Sequence, residues 1–137
     1  MVNLILGPEG SGKTKQLIAS IDTALKNESG NMVCIEKGNT MRFDVDHRVR
    51  LIDSGEYSLS GYPFLKGFIS GLHAGNFDIV HIFIDNLYKV SQVKGADEAG
   101  EFLAWCDAFS EKNGVSFTLT LTGEPEKLPA SLTKYMK

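Results

Sequence analysis

Residues 7–14 read Gly7-Pro8-Glu9-Gly10-Ser11-Gly12-Lys13-Thr14. The run matches G-x-x-x-x-G-K-[ST] in full, a pattern that carries a mechanism. The apolar stretch Val2-Asn3-Leu4-Ile5-Leu6 ahead of it reads as a buried strand, and the segment from Lys13 onward reads as a helix. Between the two, glycines without a Cβ let successive backbone N–H groups curl toward one point, a nest for an anion. The start of the helix adds its unpaired N–H groups and the positive end of its dipole. In that setting Gly7 to Thr14 are candidate phosphate-binding residues. The Lys13 ammonium reaches the β- and γ-phosphates of a nucleotide, and the Thr14 hydroxyl is placed to ligate Mg²⁺. Glu9 lies in the variable part of the run, facing solvent or the γ-phosphate side.

The rest of the chain has room for one such site. With 137 residues it fits a single domain, 1–137. A hydrophobic fraction of 42% and a charged fraction of 23% are ordinary for a globular protein. A net charge of −3 and a pI near 5.6 argue against a general nucleic-acid footprint, which makes a domain basic. Cys34 and Cys106 sit inside apolar patterns and read as reduced core residues, and no Cys/His spacing suggests zinc. The sequence has neither a membrane-length apolar run nor a signal peptide, so the expected location is the cytoplasm, with no membrane partner.

Along the chain, strand-like and helical patterns alternate. A first helix from about Lys13 to Asn27 places Leu17, Ile18, Ile21, Ala24 and Leu25 on one face, and Glu28-Ser29-Gly30 stops it. Asn31 to Glu36 reads as a second strand. Arg48-Val49-Arg50-Leu51-Ile52 alternates like an edge strand, and Asp53 to Ser60 reads as polar loop. A second helix, about Tyr62 to Ala74, carries Phe64, Leu65, Phe68, Ile69 and Leu72 on one face. It also holds Gly67 and Gly71, each costing about 1 kcal/mol against alanine and expected to permit close packing on the sheet. Asp78 to Asp85 is the most strand-like run. A third helix, about Asp97 to Asn113, is ended by Gly114; Val115 to Thr122 alternates as a strand; Ala130 to Met136 reads as a short terminal helix. Such alternation means parallel β-α-β crossovers.

Ile82-Phe83-Ile84-Asp85 is an apolar strand ending in an acid. Where a loop like 7–14 binds phosphate, an aspartate at that position holds Mg²⁺ together with the loop's Ser or Thr, so Thr14 and Asp85 form the expected metal pair. On Gly7 to Thr14 and Ile82 to Asp85 the chain resembles the P-loop NTPase superfamily. With a further strand at Ser116 to Thr122 after the acid, its layout is similar to the RecA-like branch. The resemblance implies a three-layer α/β fold with a mostly parallel sheet of about five strands flanked by helices, and ATP and Mg²⁺ as ligands. It also implies that strand 115–122 is inserted between the loop strand and the acid strand. The order of elements is similar as well to the core of bacterial thymidine kinases. That family carries a zinc-bearing four-cysteine extension, whereas this chain has two cysteines in no C-x-x-C pair, which argues against nucleoside phosphorylation.

Many members of the RecA-like branch carry Glu directly after the acid-strand Asp, where it polarises the attacking water. Here Asn86 follows, and an amide orients water but takes no proton. Glu36 is the other candidate. RecA-like proteins resemble this chain in placing a catalytic glutamate at that strand's C-terminal end, and strand C-termini line the ligand crevice of open α/β sheets; a surface glutamate at a strand end is the competing reading. The candidate catalytic residues are thus Lys13, Glu36 and Asn86. Thr120 and Thr122 are either polar sensors near the γ-phosphate or plain strand residues. Arg42, Arg48 and Arg50 lie among Asp44, Asp46 and His47, and read as a mixed-charge segment pairing with itself or as a source of an arginine for phosphoryl transfer. His81, inside the acid strand, reads as a structural histidine, and Trp105 as core edge.

Three functions follow. The first is a Mg²⁺-dependent ATP-binding protein that slowly hydrolyses the β–γ phosphate bond. The second is a nucleotide-responsive interaction module that needs a protein partner, or a further copy of itself, for turnover. The third is a kinase for a small metabolite or nucleoside, for which residues 38–60 are the only room for an acceptor lid. An N-K-x-D guanine motif is absent from the sequence, which tilts the base toward adenine.

Overall fold

A computed structural model describes residues 1–136. Five strands form one sheet: β1 (Val2–Gly7), β2 (Asn31–Glu36), β3 (Val49–Asp53), β4 (Ile79–Ile84) and β5 (Ser116–Thr122), in the order β1-β5-β4-β2-β3. Every pairing is parallel. The last strand in sequence lies between the loop strand and the acid strand, as the RecA-like layout implies, and β3 is an edge. The helices are α1 (Lys13–Asn27), α2 (Tyr62–Gly75), α3 (Leu87–Ser91), α4 (Ala96–Asn113) and α5 (Ala130–Thr133).

Strand side chains alternate between faces, and each face is covered by a different set of helices. On one side Leu17, Ile21 and Ala24 of α1 pack with Met32, Cys34, Val49 and Phe83 of the sheet and with Met41 from the β2–β3 connection. On the other, Leu65 and Ile69 of α2, Leu87 and Val90 of α3 and Phe102, Leu103 and Cys106 of α4 cover Val33, Ile35, Ile82, Ile84, Phe117 and Leu119. The result is three layers. Both cysteines are free and buried, and burial pushes the Cys106 thiol well above its ordinary pKa.

Several local expectations need correction. Phe64 does not share the buried face of α2; it is 50% exposed, while Leu65 and Ile69 are fully buried. Gly67 and Gly71 are not there for close packing, since a Cβ added at either would meet nothing within 4 Å. The stretch 53–60 is not a plain loop. Asp53 ends β3 and accepts hydrogen bonds from the Gly38 and Gly55 N–H groups at 2.7 and 2.9 Å, and a 3-10 turn follows at Ser54–Tyr57. The terminal helix stops at Thr133. Beyond it Tyr135 accepts from the Leu4 N–H at 2.9 Å, so the tail caps the open edge of β1. Helix α3 was not foreseen; five residues show too little periodicity to register.

Candidate functional site

Gly7 ends β1 directly opposite Thr122 of β5. A Cβ on Gly7 would stand 2.5 Å from the Ser11 hydroxyl, so the loop that follows folds back tightly on its own start. Gly10 and Gly12 have φ of 78° and 86°. In this left-handed region an L side chain costs roughly 1–2 kcal/mol. Space is open around both, so their requirement is conformational and not steric. Gly12 is also the N-cap of α1, and no side chain caps that end and no acid sits in its first turn. The N–H groups there therefore have no side-chain partner from a cap, and the first turn of the helix itself adds no negative charge. Lys13 lies across the loop, its ammonium donating to the Pro8 carbonyl at 2.9 Å.

Asp85 directly follows the last residue of β4. The Thr14 hydroxyl donates to Asp85 Oδ2 at 3.1 Å, with Oδ1 at 3.5 Å. The loop and the acid, seventy-one positions apart in sequence, therefore meet through the two side chains expected to share a cation. Thr120, fully buried on β5, donates its hydroxyl proton to Asp85 Oδ1 at 2.7 Å and accepts from the Asn86 N–H at 2.7 Å. Asn86 itself takes a left-handed conformation, φ 59° and ψ 76°, which asparagine tolerates better than most residues. Its side-chain oxygen accepts from the Lys89 N–H at 3.4 Å and so caps α3.

These groups border a cavity of about 430 Å³. Of the sequence candidates, Glu9, Gly10, Gly12, Lys13, Thr14, Asp85, Asn86, Thr120 and Thr122 line it, joined by Lys15. Gly7, Pro8, Ser11 and Glu36 are outside the lining. Glu36 is buried, and both of its oxygens are engaged: Oε1 by the Thr40 hydroxyl at 2.8 Å and Oε2 by the Met41 N–H at 3.1 Å. It ties the β2–β3 connection down so that Met41 can bury beside α1. The Cys34 thiol on the same strand has its pKa driven far up, by burial first and then by the Asp85 and Glu36 carboxylates.

The remaining suspects separate cleanly. Arg48 pairs with Asp46 through two bonds of 3.1 and 3.0 Å, and this contact lowers the Asp46 pKa to about 2. The Arg42 guanidinium lies 4.7 Å from the Phe43 ring centre. Tyr62 is buried against Phe102, and Trp105 packs at the core margin. The contact that sequence reasoning missed is the one from Thr120 to Asp85. The signal was present in the strict alternation of β5, which puts Thr118, Thr120 and Thr122 on one face, but the partner depends on which strand lies alongside.

Fold and site geometry together define an α/β protein with the all-parallel sheet of a P-loop/RecA-like fold. The structure is similar to the crystal structure of the flagellar accessory protein FlaH from Methanocaldococcus jannaschii, with a TM-score of 0.59 and 16% sequence identity. The match covers 97% of this chain and 65% of that one, so the present chain spans less than two thirds of its length. At that identity the likeness concerns the fold alone. No protein-family profile matches the chain, and no curated protein does. Among the described residues no helix is long and apolar enough to cross a membrane.

Proposed function

We propose that the protein binds ATP with Mg²⁺ at the 7–14 loop and slowly hydrolyses the β–γ phosphate bond. The observation that carries this reading is the contact between Thr14 and Asp85 at the mouth of an uncapped helix start. Thr14 Oγ1 and the Asp85 carboxylate are hard oxygen donors, the kind Mg²⁺ takes. Among the described residues no group of three or more His, Cys, Asp or Glu could hold a metal. A site with one carboxylate and one hydroxyl suits a cation that completes its shell with phosphate oxygens and water. Bound there, Mg²⁺ would neutralise charge on the β- and γ-phosphate oxygens.

The loop amides and the Lys13 ammonium hold the phosphate chain, with Lys13 leaving the Pro8 carbonyl for the β- and γ-phosphates. Water adds to the γ-phosphorus as the bridging oxygen leaves with ADP, and the water's proton passes to solvent. In this reading Asn86, which lines the cavity, orients that water with its side-chain amide. Glu36 is taken as the anchor of the β2–β3 connection, because both its oxygens are already committed. With positioning and electrostatics supplying most of the rate and no strong base at the water, slow turnover is the natural outcome.

One observation favours a second reading, a nucleotide-responsive module that turns over only with a partner. Among the described residues Glu9 and Asp85 are the only carboxylates lining the cavity, and neither stands where Asn86 does. Calorimetry with ATP, GTP and non-hydrolysable analogues, with and without Mg²⁺, tests binding. Single-turnover hydrolysis by the isolated chain then separates the two readings. Absence of any heat at millimolar nucleotide would overturn both.

A further inference from the structure

We infer that Thr120 is a positioning residue of the phosphate site, the hydroxyl that fixes Asp85 so that Oδ1 is held by the protein and Oδ2 is left for Thr14 and a cation. The inference rests on the ATP–Mg²⁺ reading above. The roles in the network are set by chemistry. A backbone N–H only donates, so the Thr120 oxygen accepts from Asn86 at 2.7 Å. Its single proton must then go elsewhere, and it goes to Asp85 Oδ1 at 2.7 Å. An ionised carboxylate only accepts, which matches. Thr120 has thus spent its one proton on Asp85 and offers none to a γ-phosphate in this arrangement, which favours positioning over sensing. Thr122 also borders the cavity, and its hydroxyl makes no side-chain hydrogen bond among the described residues.

The same two bonds account for a polar atom in the middle of the sheet. A β-branched apolar residue would suit a central strand as well as threonine does, and a buried hydroxyl is costly unless bonded. The hydroxyl two residues earlier, on Thr118, is held instead by His81 Nε2 at 2.8 Å. The polar stripe of β5 is therefore divided, one hydroxyl serving the structural histidine and the next serving Asp85. A carboxylate otherwise turns freely about its terminal torsion, with two broad orientations. Pinning Oδ1 selects one of them and presents Oδ2 toward Thr14. The bond from Asn86 joins the backbone beyond Asp85 to the same hydroxyl, so the acid is held from its side chain and from its chain direction together.

Thr120→Val keeps shape and removes both bonds; Thr120→Ser keeps the hydroxyl. ATP affinity is measured by calorimetry without metal and across a Mg²⁺ titration, with thermal unfolding of each variant alongside. Loss of a partner that orients a metal ligand weakens the metal by roughly 10–100-fold. Thr120→Val should raise the Mg²⁺ midpoint by about tenfold while metal-free ATP affinity stays near wild type, and Thr120→Ser should restore the midpoint. Should the valine variant not fold, Thr120→Cys, which offers only a weak S–H donor, carries the same comparison. An unchanged Mg²⁺ midpoint in a folded variant, or equal loss with and without metal, overturns the role of Thr120 and leaves the ATP reading standing. A wild-type chain that binds no ATP overturns both.

Discussion

At the scale of single residues, the site is built from side chains that have few alternatives. Lys13 in this structure bonds a carbonyl of its own loop, a contact that a phosphate chain can replace at little cost. Removing the ammonium should therefore hurt binding far more than folding. Lys13→Ala is expected to lose at least about 2 kcal/mol of ATP binding, roughly 30-fold in affinity, with the unfolding midpoint nearly unchanged; calorimetry and thermal denaturation on one preparation check both halves. Glu36 is the opposite case. Its carboxylate holds Thr40 and Met41 in a buried setting. Glu36→Ala should cost about 1–3 kcal/mol of stability by orphaning the Met41 N–H, and hydrogen exchange at that amide should quicken. If the variant instead keeps its stability and exchange pattern but loses ATP turnover, Glu36 is a residue of the chemistry and not an anchor. The sequence placed Glu36 at a strand end beside the ligand crevice. It could not show that the carboxylate curls back onto the residues four and five positions later, because that depends on how the β2–β3 connection buries Met41.

At the scale of elements, what was legible is what repeats. The alternation of β5, the 3.6-residue rhythm of α1 and the apolar run of β4 each appear in the structure close to the expected bounds. The strand order followed once the loop and the acid strand had been matched to a known layout. What was not legible lies where periodicity is short or where a residue faces outward for no local reason. Helix α3 is one turn long, and it forms because Asn86 caps it directly after Asp85. Phe64 is apolar and in register with the buried face by composition, yet it sits near the helix start and points to solvent. The α2 glycines show the same limit, because a glycine in a helix looks like a packing device until its surroundings are known. Here the surroundings are empty at Gly67 and Gly71, and neither has a backbone that requires glycine. Gly67→Ala and Gly71→Ala should each stabilise the protein by about 0.5–1 kcal/mol through the lower entropy of the unfolded chain. Urea denaturation measures it. A loss of stability in either would mean that the helix approaches a neighbour more closely than the structure describes.

At the scale of the whole molecule, the end of the sheet opposite the phosphate site carries its own polar tie between layers. His81 of β4 is buried, stacked on Phe83 at 4.1 Å, and bridges Thr118 of β5 at 2.8 Å to Glu28 just beyond α1 at 3.0 Å. With its proton on Nδ1, a neutral ring donates to the Glu28 carboxylate and accepts from the Thr118 hydroxyl at Nε2, so both ring nitrogens are satisfied without a charge. Burial is the larger influence and lowers the His81 pKa below its ordinary 6.5; Glu28 opposes it without reversing it. The folded state therefore binds the proton less readily than the unfolded chain does. Stability from this group is complete above the unfolded value of about 6.5 and is lost as pH falls from there through the lower folded value, with a slope of at most about 1.4 kcal/mol per pH unit. Protonation would also turn Nε2 into a donor and force the Thr118 hydroxyl to find another acceptor in the sheet interior. His81→Gln keeps a neutral group with a donor and an acceptor but does not titrate. Urea unfolding at a series of pH values from about 7.5 down to about 5 should give a steeper fall for the wild-type chain than for His81→Gln below pH 6.5, and parallel curves above it. Parallel curves throughout would mean that the Glu28 contact cancels the cost of burial, leaving the histidine as a packing residue whose charge the fold does not sense.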